Sequence, residues 1–96
     1  MWHAAVQGGD AHAGRTETSL LLAIDPSVVQ LDRAEAGCTE PLGALLPRLR
    51  RVGVRPVSSN GVLGNPGGAS GAEGSVQLAS MVSDLADVVT SRWPAP

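Results

Sequence analysis

Asp10-Ala-His-Ala-Gly-Arg-Thr-Glu-Thr-Ser19 runs directly into the apolar block Leu20-Leu-Leu-Ala-Ile24. Within this stretch a histidine, two carboxylates and a glycine stand where a helix should begin. Gly14 is a suitable N-cap, which puts Glu17 at the third helical position, where its carboxylate can reach back to the amides that the first turn leaves unpaired. His12 then falls in the loop just ahead, and Gly8 and Gly9 allow the chain to turn sharply before it. Unpaired amides at a helix start also favour a bound anion or a developing oxyanion. An imidazole beside a carboxylate at such a place makes a general acid/base pair. Spacing alone leaves open a second reading, in which His12 is a surface loop histidine and Glu17 only a capping carboxylate.

Leu20 to Ile24 is apolar at consecutive positions, which at helical geometry predicts burial on most sides. Pro26 ends this helix, because the residue before a proline is pushed out of the α region. Val28 to Cys38 reads as an irregular connection with a short extended piece, leaving Asp32, Arg33 and Glu35 exposed. Thr39 or Glu40 can cap a short helix starting near Pro41, and Pro47 predicts a break, with separate short pieces before and after it. Gly53 suits a helix C-cap, and Val54 to Ser58 reads as a short strand weakened by Pro56. Helix, glycine and strand in that order indicate an α/β unit. Asn60-Gly61 marks a turn, and Gly64-Asn-Pro-Gly-Gly68 lacks the lysine of a phosphate-binding loop, so it reads as a tight strand-to-helix connection.

The closing segment carries the strongest pattern. Ser70-Gly-Ala-Glu73 fits a capping box, and Val76, Ala79, Val82, Leu85, Ala86, Val89 and Trp93 recur at three- and four-residue steps. An amphipathic helix of about twenty residues follows, ended by Pro94 and packed on a sheet or on a partner. Asp84 and Asp87 make its polar face acidic, unlike the Lys- and Arg-rich face of a membrane-surface helix.

Two of these stretches carry a resemblance. The run from Asp10 to Pro26, with its His-Ala-Gly-x-x-Glu-Thr-Ser core, resembles a C-terminal motif of the creatininase (creatinine amidohydrolase) family. Ser59-Asn-Gly-Val-Leu-Gly-Asn-Pro-Gly-Gly-Ala-Ser70 is similar to that family's Gly-Val-x-Gly-Asp-Pro-x-Gly-Ala-Ser/Thr loop, and the two stand in the family's order. Both are worded most like a branch that acts on a precursor peptide. The resemblance implies the C-terminal part of a three-layer α/β/α fold, with short strands and a long amphipathic C-terminal helix. Residues 1–96 would then be the C-terminal portion of one amidohydrolase domain.

The resemblance also implies a chemistry: a divalent metal centre of zinc, manganese or iron, activating a water against the amide carbon of a peptide or cyclic amide. His12 matches a histidine that serves the leaving nitrogen or the tetrahedral intermediate, and Glu17 either completes the metal shell or orients that histidine. Arg15 could hold a substrate carboxylate or form an exposed salt bridge. Asn65 and Ser70 become candidates for substrate contact, although Asn65 stands where the family has an acidic residue. The family's main metal ligands belong to an N-terminal half that these residues do not match, and His3 and His12 are the only histidines. The expectation is a chain that binds no metal and is inactive alone, completed by that half or by copies of itself. The alternative is a non-catalytic remnant, or a small helical module that pairs with another chain.

Composition agrees with a dependent piece. The chain has 96 residues, of which 43% are hydrophobic, yet no Phe or Tyr and only Trp2 and Trp93. Its core must therefore come from Ala, Val and Leu, which bury little area each, in a chain short enough to bury a modest share of its surface. A net charge of -2 offers no basic stripe for nucleic acid, and Arg48, Arg50 and Arg51 read as a solvated helix end. Cys38 is alone, so no internal disulfide forms, and a thiol in a reducing compartment is the expectation. No run approaches the ~20 apolar residues of a membrane span and no signal-peptide pattern opens the chain, so a cytoplasmic location is expected. His3, outside both motifs, is expected to have no chemical role.

Overall fold

Helix α1 (Arg15–Ile24) starts at the predicted glycine: Gly14 is its N-cap with extended backbone, and Asp25 closes it just before Pro26. The structure, a computed structural model, describes residues 2, 4–6 and 8–96; His3 lies outside them. Two short 3-10 turns follow, Pro26–Val28 and Leu31–Arg33, where the irregular connection is expected. Helix α2 covers Leu42–Val52 and helix α3 covers Gly71–Arg92. The whole measures 54 × 33 × 18 Å.

The expected α/β layering does not form. Among the described residues there is no strand, and the one isolated β-bridge pairs His12 with Leu63 in antiparallel fashion. At the predicted strand Val54 to Ser58, the amides of Val57 and Ser58 both donate to the Val54 carbonyl, at 2.9 and 2.8 Å. Those two amides are used within a local turn around Pro56, which has no N–H to give, so three consecutive residues offer no donor to a neighbouring strand. Near the start of the chain, Gly9 N donates to the Val6 carbonyl at 3.0 Å, a turn where a strand could have arrived.

A minimal pairing survives at the centre. Leu63 exchanges hydrogen bonds with His12, N to O at 2.9 Å and O to N at 3.1 Å. On its other side, Gly37 N donates to Gly64 O at 2.9 Å and Cys38 N to Val62 O at 3.0 Å. Gly37 allows this, since a Cβ there would collide with the Val62 carbonyl. Leu63 is thus buried between two segments, and with Leu45 it makes up the buried apolar core among the described residues.

Two helix predictions are corrected. α2 continues unbroken through Pro47. The proline costs the bond to the Gly43 carbonyl, but Leu45 remains fully buried and Leu49 half-buried one turn on, so the apolar face holds the helix together. Gly53 caps it as expected, with φ +78° and its N–H on the Leu49 carbonyl at 2.9 Å. The block Leu20 to Ile24 is less buried than its composition suggests: Ile24 is 64% exposed and Leu21 38%. α1 packs on α3 and on the short 3-10 turn Pro26–Val28 that follows it, which leaves part of its apolar block uncovered.

α3 meets α1 through its first turns. Gly74 is the buried residue there, and a Cβ on it would run into the carbonyl of Ser19, which is itself fully buried. Further along, Val82, Leu85, Val89 and Trp93 are exposed, so the predicted apolar stripe exists without a sheet beneath it.

Candidate functional site

The bridge between His12 and Leu63 brings the two motifs side by side. Gly64, at φ +156°, lies against Asp10, where a Cβ would strike the carboxylate. Gly14 also lies close to the same carboxylate, so two glycines make room for Asp10. There, Asp10 Oδ2 accepts from Arg15 N at 2.7 Å and Oδ1 from Thr16 N at 3.1 Å. Burial would raise its pKa, but the amide bonds from Thr16 and Arg15, with the Thr16 hydroxyl, outweigh this and hold it below the ordinary value. The first amides of α1 are therefore capped from within the chain. The anion site that the helix start predicts is already filled by Asp10.

His12 and Glu17 do come together. His12 Nδ1 lies 3.3 Å from Glu17 Oε2, with both side chains about half exposed. The same Oε2 accepts from Ala13 N at 2.9 Å, so Glu17 reaches back past the N-cap as its position predicts. Ala13 between them has φ +53°, a left-handed conformation that a residue with a side chain adopts at a cost. A cleft of about 350 Å³ has Asp10, Ala11, Glu40, Leu42, Leu63 and Gly64 among its walls, and neither His12 nor Glu17 lines it.

The other candidates separate. Arg15 Nε donates to Glu73 Oε2 at 2.8 Å. Glu73 also accepts from Ser19 Oγ at 3.1 Å, and Ser19 Oγ accepts from Ser70 N at 3.1 Å. Ser70 caps α3 by accepting from Glu73 N at 3.1 Å. The capping box is thus half formed: Glu73 turns its carboxylate to α1, and Ser19 takes the amide that Glu73 would have taken. The bond to Arg15 lowers the Glu73 pKa and raises that of Arg15. Asn65 Oδ1 accepts from Gly67 N at 2.9 Å and shapes its own loop. Asn65 and Ser70 both stand outside the cleft.

Sequence reading misses Asp10 as the cap of α1 and Glu73 as the partner of Arg15. Gly74 is the available signal for the second, since a glycine inside a helix's first turns marks a close crossing, and Glu73 precedes it.

A metal does not fit these residues alone. Among the described residues no group of three His, Cys, Asp or Glu side chains could hold one, and His12 with Glu17 supplies two donors where stable sites use three or more. No helix among the described residues is long and apolar enough to cross a membrane.

Comparison with known proteins accounts for the two neighbouring motifs. The mycofactocin precursor peptide peptidase of Mycobacterium ulcerans (strain Agy99) is 53% identical over 89 residues, 93% of this chain and 36% of that protein. Those of Mycobacterium tuberculosis (strain ATCC 25618 / H37Rv) and Mycolicibacterium smegmatis (strain ATCC 700084 / mc(2)155) are 49% and 48% identical over the same shares. The chain therefore spans about 36% of the length of the curated relatives it matches. No solved structure matches it. The family model described as creatinine amidohydrolase matches residues 2–89, nearly the whole chain and both motifs, and the chain belongs to this creatininase family, whose members are in general metal-dependent.

Proposed function

We propose that these 96 residues form the C-terminal part of an amide hydrolase that cuts a precursor peptide, and that they act only with residues beyond this chain. The observation that carries the reading is the 3.3 Å approach of His12 Nδ1 to Glu17 Oε2 at the head of α1. A carboxylate on Nδ1 selects the tautomer with its proton there, which leaves Nε2 to exchange a proton with substrate. Nε2 takes the proton that the attacking water gives up and passes it to the leaving nitrogen as the C–N bond of the scissile amide breaks. Glu17 orients the ring; its bond to Ala13 N and its contact with His12 favour this role over ligation. The remaining catalytic groups come from outside these residues. In an enzyme assembled with the N-terminal portion of a mycobacterial relative, His12→Ala lowers kcat by about 10²–10⁴-fold and Glu17→Gln by less. Equal kcat for His12→Ala and the unmodified enzyme refutes the role.

A second reading is favoured by the exposed stripe Val82, Leu85, Val89 and Trp93 on α3: a non-catalytic module that docks on another chain. It predicts a stable complex with the N-terminal portion and no hydrolysis.

A further inference from the structure

We infer that Glu73 is a positioning residue that presents the Arg15 guanidinium to a carboxylate of the peptide substrate. The substrate identity rests on the function proposed above; the geometry does not. Arg15 stands three residues after His12, is held by Glu73 and passes close to Gly68. Glu73, on the first turn of α3, takes its Nε at 2.8 Å. Gly68, at φ +83°, lies beneath it, with Arg15 Nη1 3.4 Å from where a Gly68 Cβ would stand. Glu73 is itself fixed by the buried Ser19 hydroxyl at 3.1 Å.

Guanidinium donors come in a rigid planar fork. With Nε committed to Glu73, the Nη1–Nη2 edge remains, and among the described residues it makes no hydrogen bond. That edge matches a carboxylate in a bidentate pair, and the side chain is 55% exposed. Glu73 also carries a negative charge that repels the same ligand. At an exposed site the high dielectric of water keeps that repulsion small, whereas an unheld arginine loses considerable rotamer freedom on binding. The orienting effect is therefore the larger one, and the sign of the Glu73 variant decides the matter.

The test follows the Arg15 Nε–H resonance of the isotope-labelled chain. The probes are N-acetyl-dialanine, which has a terminal carboxylate, its C-terminal amide, and N-acetyl-aspartyl amide, which has a side-chain carboxylate. The signal should shift saturably with a carboxylate probe and not with the uncharged amide; the stronger of the two acids names the source. Glu73→Gln, which keeps the shape, should weaken that binding by about tenfold, with partial recovery in Glu73→Asp. Arg15→Lys, which keeps the charge but not the fork and is followed on the backbone amide signals of Gly68 and Glu73, should show no saturable shift, and circular dichroism of each variant shows that the helices remain. No response to either acid, or equal or tighter binding by Glu73→Gln, overturns the inference. Hydrolysis is scored separately in the assembled enzyme. Carboxylate binding without hydrolysis sinks the proposed function alone. Hydrolysis with no preference for the acid over the amide form of the peptide sinks this inference alone.

Discussion

Gly74 packs against the carbonyl of Ser19 so closely that any side chain on residue 74 would collide with it. The obstacle is backbone inside a helix, which cannot rotate aside, and the two helices cross at this point because one of them presents no side chain.

Gly74→Ala tests that crossing through a conflict of signs. In an open helix the change stabilises by about 1 kcal/mol. Here overpacking costs about 1–3 kcal/mol and wins. The melting temperature should fall by about 4–8 °C for each kcal/mol lost, as measured by circular dichroism. A rise would mean that α1 and α3 are not in contact at Ser19.

Asp10→Ala removes the acceptor of the Arg15 and Thr16 amides. Loss of a helix cap costs about 0.5–2 kcal/mol, seen as a lower denaturation midpoint. Because the folded pKa of Asp10 lies below its unfolded value, its contribution is complete above about pH 3.9. It is lost as the pH falls through the lower folded value. The unmodified chain should therefore lose stability relative to Asp10→Ala on acidification below that point, and the gap between them should close. A gap that persists at the acid end would show that the carboxylate charge is not what caps α1.

Ser19→Ala leaves the part-buried Ser70 amide without its acceptor and removes one of the two donors to Glu73, Arg15 Nε being the other. A loss of about 1–3 kcal/mol is expected, read as a shift in urea midpoint with unchanged slope. An unchanged midpoint would mean that water replaces the hydroxyl at no cost.

What the sequence made legible was local. Gly14 and Glu17 define the start of α1, Gly53 the end of α2, and Ser70 the start of α3, because capping depends on residues within a few positions. The two motifs likewise carried the family. Three things were not legible. Pro47 stays inside α2 because burial of Leu45 overrides a local penalty. Val54 to Ser58 has strand-like composition, but no strand lies beside it among the described residues, and its amides close a turn. Glu73 reads as a capping residue until α1, more than fifty positions earlier, supplies Arg15 and Ser19; no periodicity encodes such a crossing.

The exposed face of α3 has the same origin. Val82, Leu85 and Val89 follow a helical period as expected, but that pattern says only that a face is apolar and not what covers it. If the chain works as part of a larger hydrolase, residues outside it cover that face.

The most direct measurement mixes the purified chain with the separately expressed N-terminal portion of a mycobacterial relative and follows cleavage of a precursor peptide. A split active site predicts no cleavage by either piece alone, cleavage by the mixture, and its loss when the chain carries His12→Ala. Cleavage by the isolated chain, or a mixture whose activity is indifferent to His12, would contradict it.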